Sequence, residues 1–147
     1  MTYSHTQRAP MWLMLVTIGL AALAAAWLSR SQVLLAAVLA SLGVAMMVVS
    51  LCFGTLTVAD QGDWLLIRFG PLPVFQKRIA YARISHVEPS KTAFIDGWGV
   101  HYIPGRGWTW NLWGWDCVRL TIDGGTMRIG TDDADNLARF IRAKINH

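Results

Sequence analysis

The feature that most constrains this chain is a pair of long apolar runs close to its N-terminus. Residues 11–28 (MWLMLVTIGLAALAAAWL) and 33–53 (VLLAAVLASLGVAMMVVSLCF) contain no charged side chain. An α-helix rises about 1.5 Å per residue, so about 20 residues cross the hydrocarbon core of a bilayer, which is roughly 30 Å thick. Only residues 29–32 (SRSQ) separate the runs, which leaves room for a tight turn. The sequence therefore predicts two transmembrane helices that form a hairpin.

A cleaved signal peptide is an alternative interpretation of the first run, because Ala-rich sequence precedes Ser29. The run is long for such a peptide, and a second apolar run follows it at once. Trp12 and Trp27 lie near its two ends, where the interfaces of a membrane favour tryptophan. We therefore expect the first run to remain in the protein as part of an anchor.

Neither run contains Asp, Glu, Lys, Arg or His, so a path for ions or protons would have no ionisable groups to use. This composition favours an anchor over a transporter or channel. Small residues recur at helical spacing, and such residues let helix backbones approach closely in lipid. They are Thr17, Ala21 and Ala25 in the first run and Ala37, Ser41 and Ala45 in the second. We expect them to pack the hairpin on itself, with a face for another membrane protein as the alternative.

Two spans place both chain termini on the same side of the membrane. Arg8 and Arg68 flank the terminal side, whereas Arg30 alone marks the turn of the hairpin. Because positive charge is enriched on the cytoplasmic side of membrane proteins, this bias predicts that both termini are cytoplasmic. The unpaired Cys117 in the remainder of the chain agrees with a reducing compartment.

After residue 53 the pattern changes from helical periodicity to short β-prone segments separated by turns. Strands are predicted at residues 53–59, 64–69, 75–81, 84–89, 97–103, 108–112, 117–122 and 126–129. Glycine-containing turns at 60–63 and 123–125 predict hairpins. Residues 134–145 place apolar side chains three and four positions apart, which predicts an amphipathic helix. The expected fold class is α+β, with a small antiparallel β-barrel or sandwich that the final helix covers at one end.

Two adjacent spans followed by this order of elements resemble bacterial membrane proteins that carry a pleckstrin-homology-like (PH-like) domain. The resemblance rests on the final hairpin and helix (VRLTIDGGTMRIGTDDADNLARFIRAKI), on residues 77–88, and on the segment GWGVHYIPGRGW. It implies a short N-terminal tail at residues 1–9, a transmembrane hairpin at 10–53 and a PH-like domain at 54–147. It also implies a multi-pass protein of the bacterial inner membrane, in a family whose biochemical role is largely undefined.

Tryptophan is concentrated in one segment of the predicted domain. Five of the eight tryptophans lie there, namely Trp98, Trp108, Trp110, Trp113 and Trp115. Trp rings bury a large area, and their N–H groups require a partner when buried. Three interpretations stay open: an aromatic core, an exposed ridge that dips into lipid headgroups, and a groove for a protein or peptide partner.

The basic residues Lys77, Arg78 and Arg83 are candidates for contact with anionic lipid, which contributes about 1 kcal/mol per cation near such a surface. Solvated strand positions are the alternative. Phosphoinositide-binding members of the wider PH-like fold place basic residues in the first hairpin loop. Here residues 60–63 (DQGD) are acidic, which argues against phosphoinositide binding.

Signatures of catalysis and of metal binding are absent from the sequence. The four His and two Cys residues lack the spacing of metal ligands. Residues 97–99 (GWG) begin like a dinucleotide-binding loop, but Tyr102 breaks the glycine fingerprint. We therefore expect no catalytic residue, no cofactor and no metal, and a hydrolase or transferase would require a polar pocket with perturbed acids.

The leading functional hypothesis is a non-enzymatic module that presents a protein- or lipid-contacting domain at the cytoplasmic face of the membrane. The expected partners are the bilayer and a protein in the membrane or at its surface. Residues 54–147 contain 11 Lys and Arg against 9 Asp and Glu, a net charge of about +2 that is too balanced to favour nucleic acid. The alternative is an accessory subunit that binds a larger membrane complex through its hairpin.

Overall fold

The structure, a computed structural model, describes residues 2–146. The helices of this part of the chain are α1 (Met11–Leu28), α2 (Val33–Cys52) and α3 (Ala134–Ile145). Its strands are β1 (Ser4–Arg8), β2 (Thr55–Gln61), β3 (Trp64–Gly70), β4 (Gln76–Ala80), β5 (Ile84–Lys91), β6 (Gly99–Ile103), β7 (Gly107–Asn111), β8 (Asp116–Ile122) and β9 (Gly125–Gly130). The predicted α+β class, with two apolar helices, a β region and a C-terminal helix, is confirmed.

The two apolar helices pack against each other as an antiparallel pair, and each is long and apolar enough to cross a membrane. Gly19 and Gly43 face each other where the helices meet. A Cβ atom on Gly43 would lie 2.9 Å from the Gly19 carbonyl oxygen and 2.7 Å from the Leu23 side chain. Ala22 and Ala26 are buried on the same side of α1. Small residues therefore allow the backbones of the two helices to approach each other closely.

The small residues predicted to pack the hairpin are not the ones that do so. Thr17, Ala21, Ala37, Ser41 and Ala45 are exposed, and Ala25 is half-buried. The hydroxyl groups of Thr17 and Ser41 donate hydrogen bonds of 2.8 Å to carbonyl oxygens one turn earlier in their own helices. The prediction was wrong because the two glycines permit the closest approach, and that contact fixes which face of each helix points outward.

The segment predicted as an N-terminal tail contains a strand. β1 pairs antiparallel with β2, from Ser4 opposite Ala59 to Arg8 opposite Thr55. The Tyr3 hydroxyl donates a 3.0 Å hydrogen bond to a carboxylate oxygen of Asp133, 130 residues away. The helix hairpin is therefore an insertion between two neighbouring strands, and both of its ends connect directly to one sheet.

The strands form two sheets, with the orders β1-β2-β3-β4 and β5-β8-β9-β7-β6. One apolar core contains side chains from both sheets and from α3, including Phe69, Leu120, Ile129, Leu137 and Ile141. The predicted all-antiparallel pairing was wrong at one place, because β7 and β9 run parallel. The chain passes from β7 to β8 and then returns through β9 between them, so β9 takes the direction of β7. Side-chain alternation is the same in both kinds of pair and did not signal this.

Candidate functional site

We refer to the end of the β domain at which β1 joins α1 and α2 joins β2 as the helix-proximal end. Arg8, Thr55 and Gly70 occupy adjacent positions of three neighbouring strands there. This row of three residues marks the helix-proximal end. A strand rises about 3.3 Å per residue, so the distance of any loop from the row can be read from the number of strand residues between them. Two loops of unusual composition lie close to the row.

The first loop joins β3 to β4 and contains no charged residue between Gly70 and Gln76. Leu72, Val74 and Phe75 are exposed in it. The Leu72 backbone N–H donates a 2.9 Å hydrogen bond to the carbonyl oxygen of Leu51, which belongs to the last turn of α2. The loop therefore reaches back alongside the end of an apolar helix.

The second loop joins β5 to β6 and contains a single turn of 3₁₀ helix whose apolar side chains point outward. Phe94 is 89% exposed and Ile95 is 66% exposed, whereas the next residue, Asp96, is fully buried. Arg106 donates from Nε to Asp96 Oδ1 at 2.7 Å and from Nη2 to Oδ2 at 2.6 Å. The Ala93 backbone N–H donates to the same Oδ2 atom at 2.6 Å. The buried carboxylate thus holds the turn in the conformation that exposes its two apolar residues.

Electrostatics in this turn favour the charged form of the acid. The hydrogen bonds from Arg106 lower the pKa of Asp96 below its ordinary value, although burial opposes that change. The side chain is therefore ionised at neutral pH, and its charge is balanced by the guanidinium group. The turn consequently presents an apolar surface despite the acid at its base.

Asn111, at the end of β7, connects this turn to the loop between β7 and β8 (residues 112–115), which contains Trp113 and Trp115 and which we call the Trp-rich loop. Its buried Nδ2 donates to the carbonyl oxygens of Gly114 at 3.1 Å and Gly97 at 3.4 Å. The rings of Trp98 and Trp113 stack with centroids 4.9 Å apart. These contacts join the β5–β6 loop and the Trp-rich loop into one surface.

That surface lies at the helix-proximal end. Gln7 is buried and precedes Arg8 in β1, and its Nε2 donates a 3.0 Å hydrogen bond to the Trp113 carbonyl oxygen. The backbone N–H of Thr92 donates to the Trp115 carbonyl oxygen at 2.7 Å. We call the exposed group the apolar patch, which consists of Phe94, Ile95, Trp98, Trp113 and Trp115.

The five clustered tryptophans separate into different environments. Trp110 is 7% exposed and packs against Phe69 with ring centroids 5.8 Å apart, so it belongs to the core and is not available as a contact residue. Trp98, Trp113 and Trp115 are exposed in the apolar patch, and Trp108 is exposed elsewhere. The sequence did not indicate Phe94 and Ile95, whose only signal is two bulky apolar residues within a predicted loop.

The predicted basic residues lie around one cleft between β4 and the second sheet, with a volume of about 210 Å³. It is lined by Lys77, Arg78, Ile79, Arg83, Trp108, Ile122 and Met127. The Lys77 ammonium lies 5.6 Å from the centroid of the Trp108 ring, within range of a cation–π interaction. The guanidinium group of Arg83 binds the carboxylate of Asp123, with Nε 2.7 Å from Oδ2.

The three cations are therefore not equivalent. Within residues 2–146, Lys77 and Arg78 have no carboxylate at ion-pairing distance, whereas the charge of Arg83 is balanced by Asp123. We refer to this place as the basic cleft, and its free positive charge comes from β4. Trp108 belongs to this cleft and not to the apolar patch.

The potential metal ligands of residues 2–146 form no metal site, and the two thiols are buried. In the described part of the chain, no group of three or more His, Cys, Asp or Glu residues is positioned to hold a metal ion. Cys52 and Cys117 are buried free thiols. Burial raises the pKa of the Cys117 thiol to about 11, so this group is protonated at neutral pH.

Comparison of the sequence with models of known protein families finds no match, and comparison with curated proteins finds no significant match.

Proposed function

We propose that this chain is a two-span protein of the bacterial inner membrane that fixes a PH-like contact domain at the cytoplasmic face. The observation that carries the proposal is the insertion of the helix hairpin between β1 and β2. Because both ends of the hairpin continue into strands of one sheet, the domain has two attachments to the anchor and no flexible linker. Such an arrangement suits a module that works at a fixed distance from the bilayer.

The assignment to a PH-like fold is supported by the layers of the β domain. Two packed sheets followed by a C-terminal helix are the elements that such a domain contains. Leu137 and Ile141 of α3 are fully buried and contact the core shared by both sheets. Two features differ from the expectation from the sequence: β1 is an additional strand, and β7 and β9 pair in parallel where antiparallel pairing was expected.

The distribution of basic residues supports the cytoplasmic orientation. Arg8 and Arg68 lie on strands of the helix-proximal end, whereas Arg30 lies in the turn between the helices, over the ring of Trp27 at 5.2 Å. Lys77 and Arg78 add two further free cations on the domain side. The greater positive charge on that side favours the cytoplasm as its compartment.

A contact function without catalysis is supported by the structural roles of three titratable groups, each of which is bound to a partner in another segment of the chain. Burial and a hydrogen bond to a carboxylate raise the pKa of Tyr3 and of Tyr81, whose partners are Asp133 and Asp60. Asp96 is likewise bound to Arg106. These groups stabilise connections between distant segments, whereas the apolar patch and the basic cleft present side chains to the surroundings. We therefore propose that the domain acts through surface contact with protein or lipid.

A specific observation favours the second candidate, an accessory subunit bound through the hairpin. The outward faces of α1 and α2 carry small residues at helical spacing, including Ala21, Ala37 and Ala45. Such residues permit the close approach of another transmembrane helix. The two candidates differ in which part of the chain recognises the partner.

An anchor exchange distinguishes them. The hairpin is replaced by an unrelated two-span hairpin, and partners are recovered by cross-linking and mild detergent extraction from cells that express either form. Retention of the partners by the exchanged form would support recognition by the domain. Loss of all partners, with the domain still folded by circular dichroism, would support the accessory-subunit alternative instead.

A further inference from the structure

We propose that the helix-proximal end of the domain lies against the bilayer and inserts two loops into its headgroup region. One is the β3–β4 loop, through Leu72 and Val74, and the other is the β5–β6 turn of the apolar patch, through Phe94 and Ile95. The inference rests on the proposed function, because it takes α1 and α2 as membrane spans. It assigns the lipid bilayer as the occupant of a surface that would otherwise be exposed and apolar.

The depth of the β3–β4 loop follows from its hydrogen bond to α2. Leu72 is bonded through its backbone to Leu51, one residue before the last residue of the helix. If α2 spans the membrane, the Leu72 backbone lies at the level of its final turn. The loop contains no charge, and cations flank it on both strands, at Arg68 and Lys77. Apolar tips with cations behind them match the order of acyl chain and phosphate in a leaflet.

The depth of the apolar patch follows from β1. Gln7 is separated from the first residue of α1 by only three residues, and its side chain binds the Trp113 backbone. The Trp113 ring stacks on Trp98, which places both rings near the level at which α1 begins. Tryptophan favours this interfacial level, where its ring is apolar and its N–H can reach water or a headgroup.

The β5–β6 turn is held in one conformation by hydrogen bonds, and it presents apolar side chains at its tip. Asp96 is bound by Arg106 and by the Ala93 backbone, so the exposed conformation of Phe94 and Ile95 is fixed before any contact forms. Holding two large apolar side chains in water is unfavourable. A surface of this kind indicates a contact site, and its continuity with the spans identifies lipid as the contact.

A groove beside the β3–β4 loop continues the same surface. It has a volume of about 460 Å³ and lies between the ends of the two helices and the first sheet. Its walls include Trp12, Val16, Met47, Leu51 and Pro71, and Arg8 lies at the sheet side. The apolar walls suit an acyl chain, and Arg8 is the one cation among the described lining residues, of the kind that pairs with a lipid phosphate.

Depth-dependent fluorescence quenching in the full chain tests the proposal. Single cysteines are introduced at Phe94→Cys, Leu72→Cys, Leu42→Cys and Gln61→Cys, and labelled with an environment-sensitive fluorophore. Cys52 and Cys117 are buried, so labelling of the parent chain measures the background. Each protein is reconstituted in phosphatidylcholine–phosphatidylglycerol vesicles without spin label and with lipids that carry a nitroxide on the acyl chain, either near the headgroup, for positions 94, 72 and 61, or near the chain end, for position 42.

Leu42 lies in the middle of α2 and reports the span, whereas Gln61 lies at the opposite end of β2 and reports the aqueous side. We expect quenching of the probes at positions 94, 72 and 42, and little quenching at position 61. If position 42 is quenched while 94 and 72 behave like 61, the surface proposal is overturned and the anchor remains. If position 42 is not quenched, the proposed function and this inference both fail.

A labelled variant that does not fold is replaced by its neighbour. Ile95→Cys takes the place of Phe94→Cys, and Val74→Cys takes the place of Leu72→Cys, with folding judged by circular dichroism. An absence of quenching at positions 94 and 72 together with specific cross-linking of those positions to a protein would assign the surface to a protein partner and overturn the lipid assignment.

Discussion

Asp96 and Arg106 form a two-point ion pair in which the carboxylate is fully buried and the guanidinium group is about one-third exposed. Asp96 is the last residue of the 3₁₀ turn, and Arg106 lies in the turn between β6 and β7. The pair therefore joins two connections that carry no regular hydrogen-bond ladder. Its effect is to fix the apolar turn that the domain presents at its helix-proximal end.

We expect Asp96→Asn to lower the free energy of unfolding by about 2–4 kcal/mol, because a hydrogen-bonded charge would be left without its partner. Chemical unfolding in detergent micelles measures the change. The matched control is Asp116→Asn, since Asp116 pairs with Lys91 at 3.9 Å on the surface. This control should change the free energy by less than about 1 kcal/mol. Equal effects of the two substitutions would contradict the structural role of the buried pair.

The same pair predicts a dependence of stability on pH. The pKa of Asp96 is below its ordinary value of 3.8 in the folded chain, so the folded state binds this proton less tightly than the unfolded state. The stabilisation is complete above the ordinary value and is lost as the pH falls through the lowered one. Below about pH 4 the parent should therefore lose stability more steeply than Asp96→Asn. Parallel pH profiles of unfolding would rule out this contribution.

Gly130 is predicted to tolerate no side chain. A Cβ atom there would overlap the carboxamide oxygen of Asn111 and lie 3.0 Å from its Cα atom. We expect Gly130→Ala to lower the free energy of unfolding by about 2–3 kcal/mol and to weaken the protection of the Trp-rich loop in hydrogen exchange. Gly125→Ala is the control, because its Cβ would lie at an ordinary 3.4 Å from the Ile122 carbonyl oxygen. A large effect at Gly125 or none at Gly130 would contradict the packing described.

The contact between the two apolar helices gives a further prediction. Gly43→Leu should separate α1 from α2 and lower the thermal unfolding midpoint in detergent, with a cost of about 1–3 kcal/mol. Ala45→Leu is the matched control, since Ala45 is exposed on the same helix. In the isolated protein the control should be near neutral. A reversed order of the two effects would mean that the helices pack through the other face.

Membrane orientation is tested by thiol accessibility in intact cells and in inverted vesicles. Ser31→Cys lies in the connection between α1 and α2, and Gln61→Cys lies at the far end of the first sheet. With cytoplasmic termini, an impermeant reagent should label position 31 from outside the inner membrane and position 61 only in inverted vesicles. The opposite pattern would place the domain outside the cytoplasm and contradict the orientation inferred from Arg8, Arg68 and Arg30.

Much of the secondary structure was predictable because its signals are local. The two apolar runs correspond to α1 and α2, the DGG turn corresponds to the β8–β9 hairpin, and the residues of 134–145 form α3 as expected. Hydrophobic periodicity and turn residues act over a few neighbouring positions, so they are visible in the sequence alone. The structure places the candidate basic residues Lys77, Arg78 and Arg83 at one cleft, and their role in contact stays a prediction.

The sequence by itself determined which segments are apolar helices, hairpins and an amphipathic helix, and it located the concentration of tryptophan. Only the tertiary structure decided that SHTQR is a strand, since this polar segment has no apolar alternation and its pairing with β2 crosses the whole hairpin. It also decided that Trp110 is buried while Phe94 and Ile95 are exposed. These outcomes depend on contacts such as Gln7 with Trp113, 106 residues apart. Such contacts form only when distant segments are brought together, so local residue preferences carry no record of them.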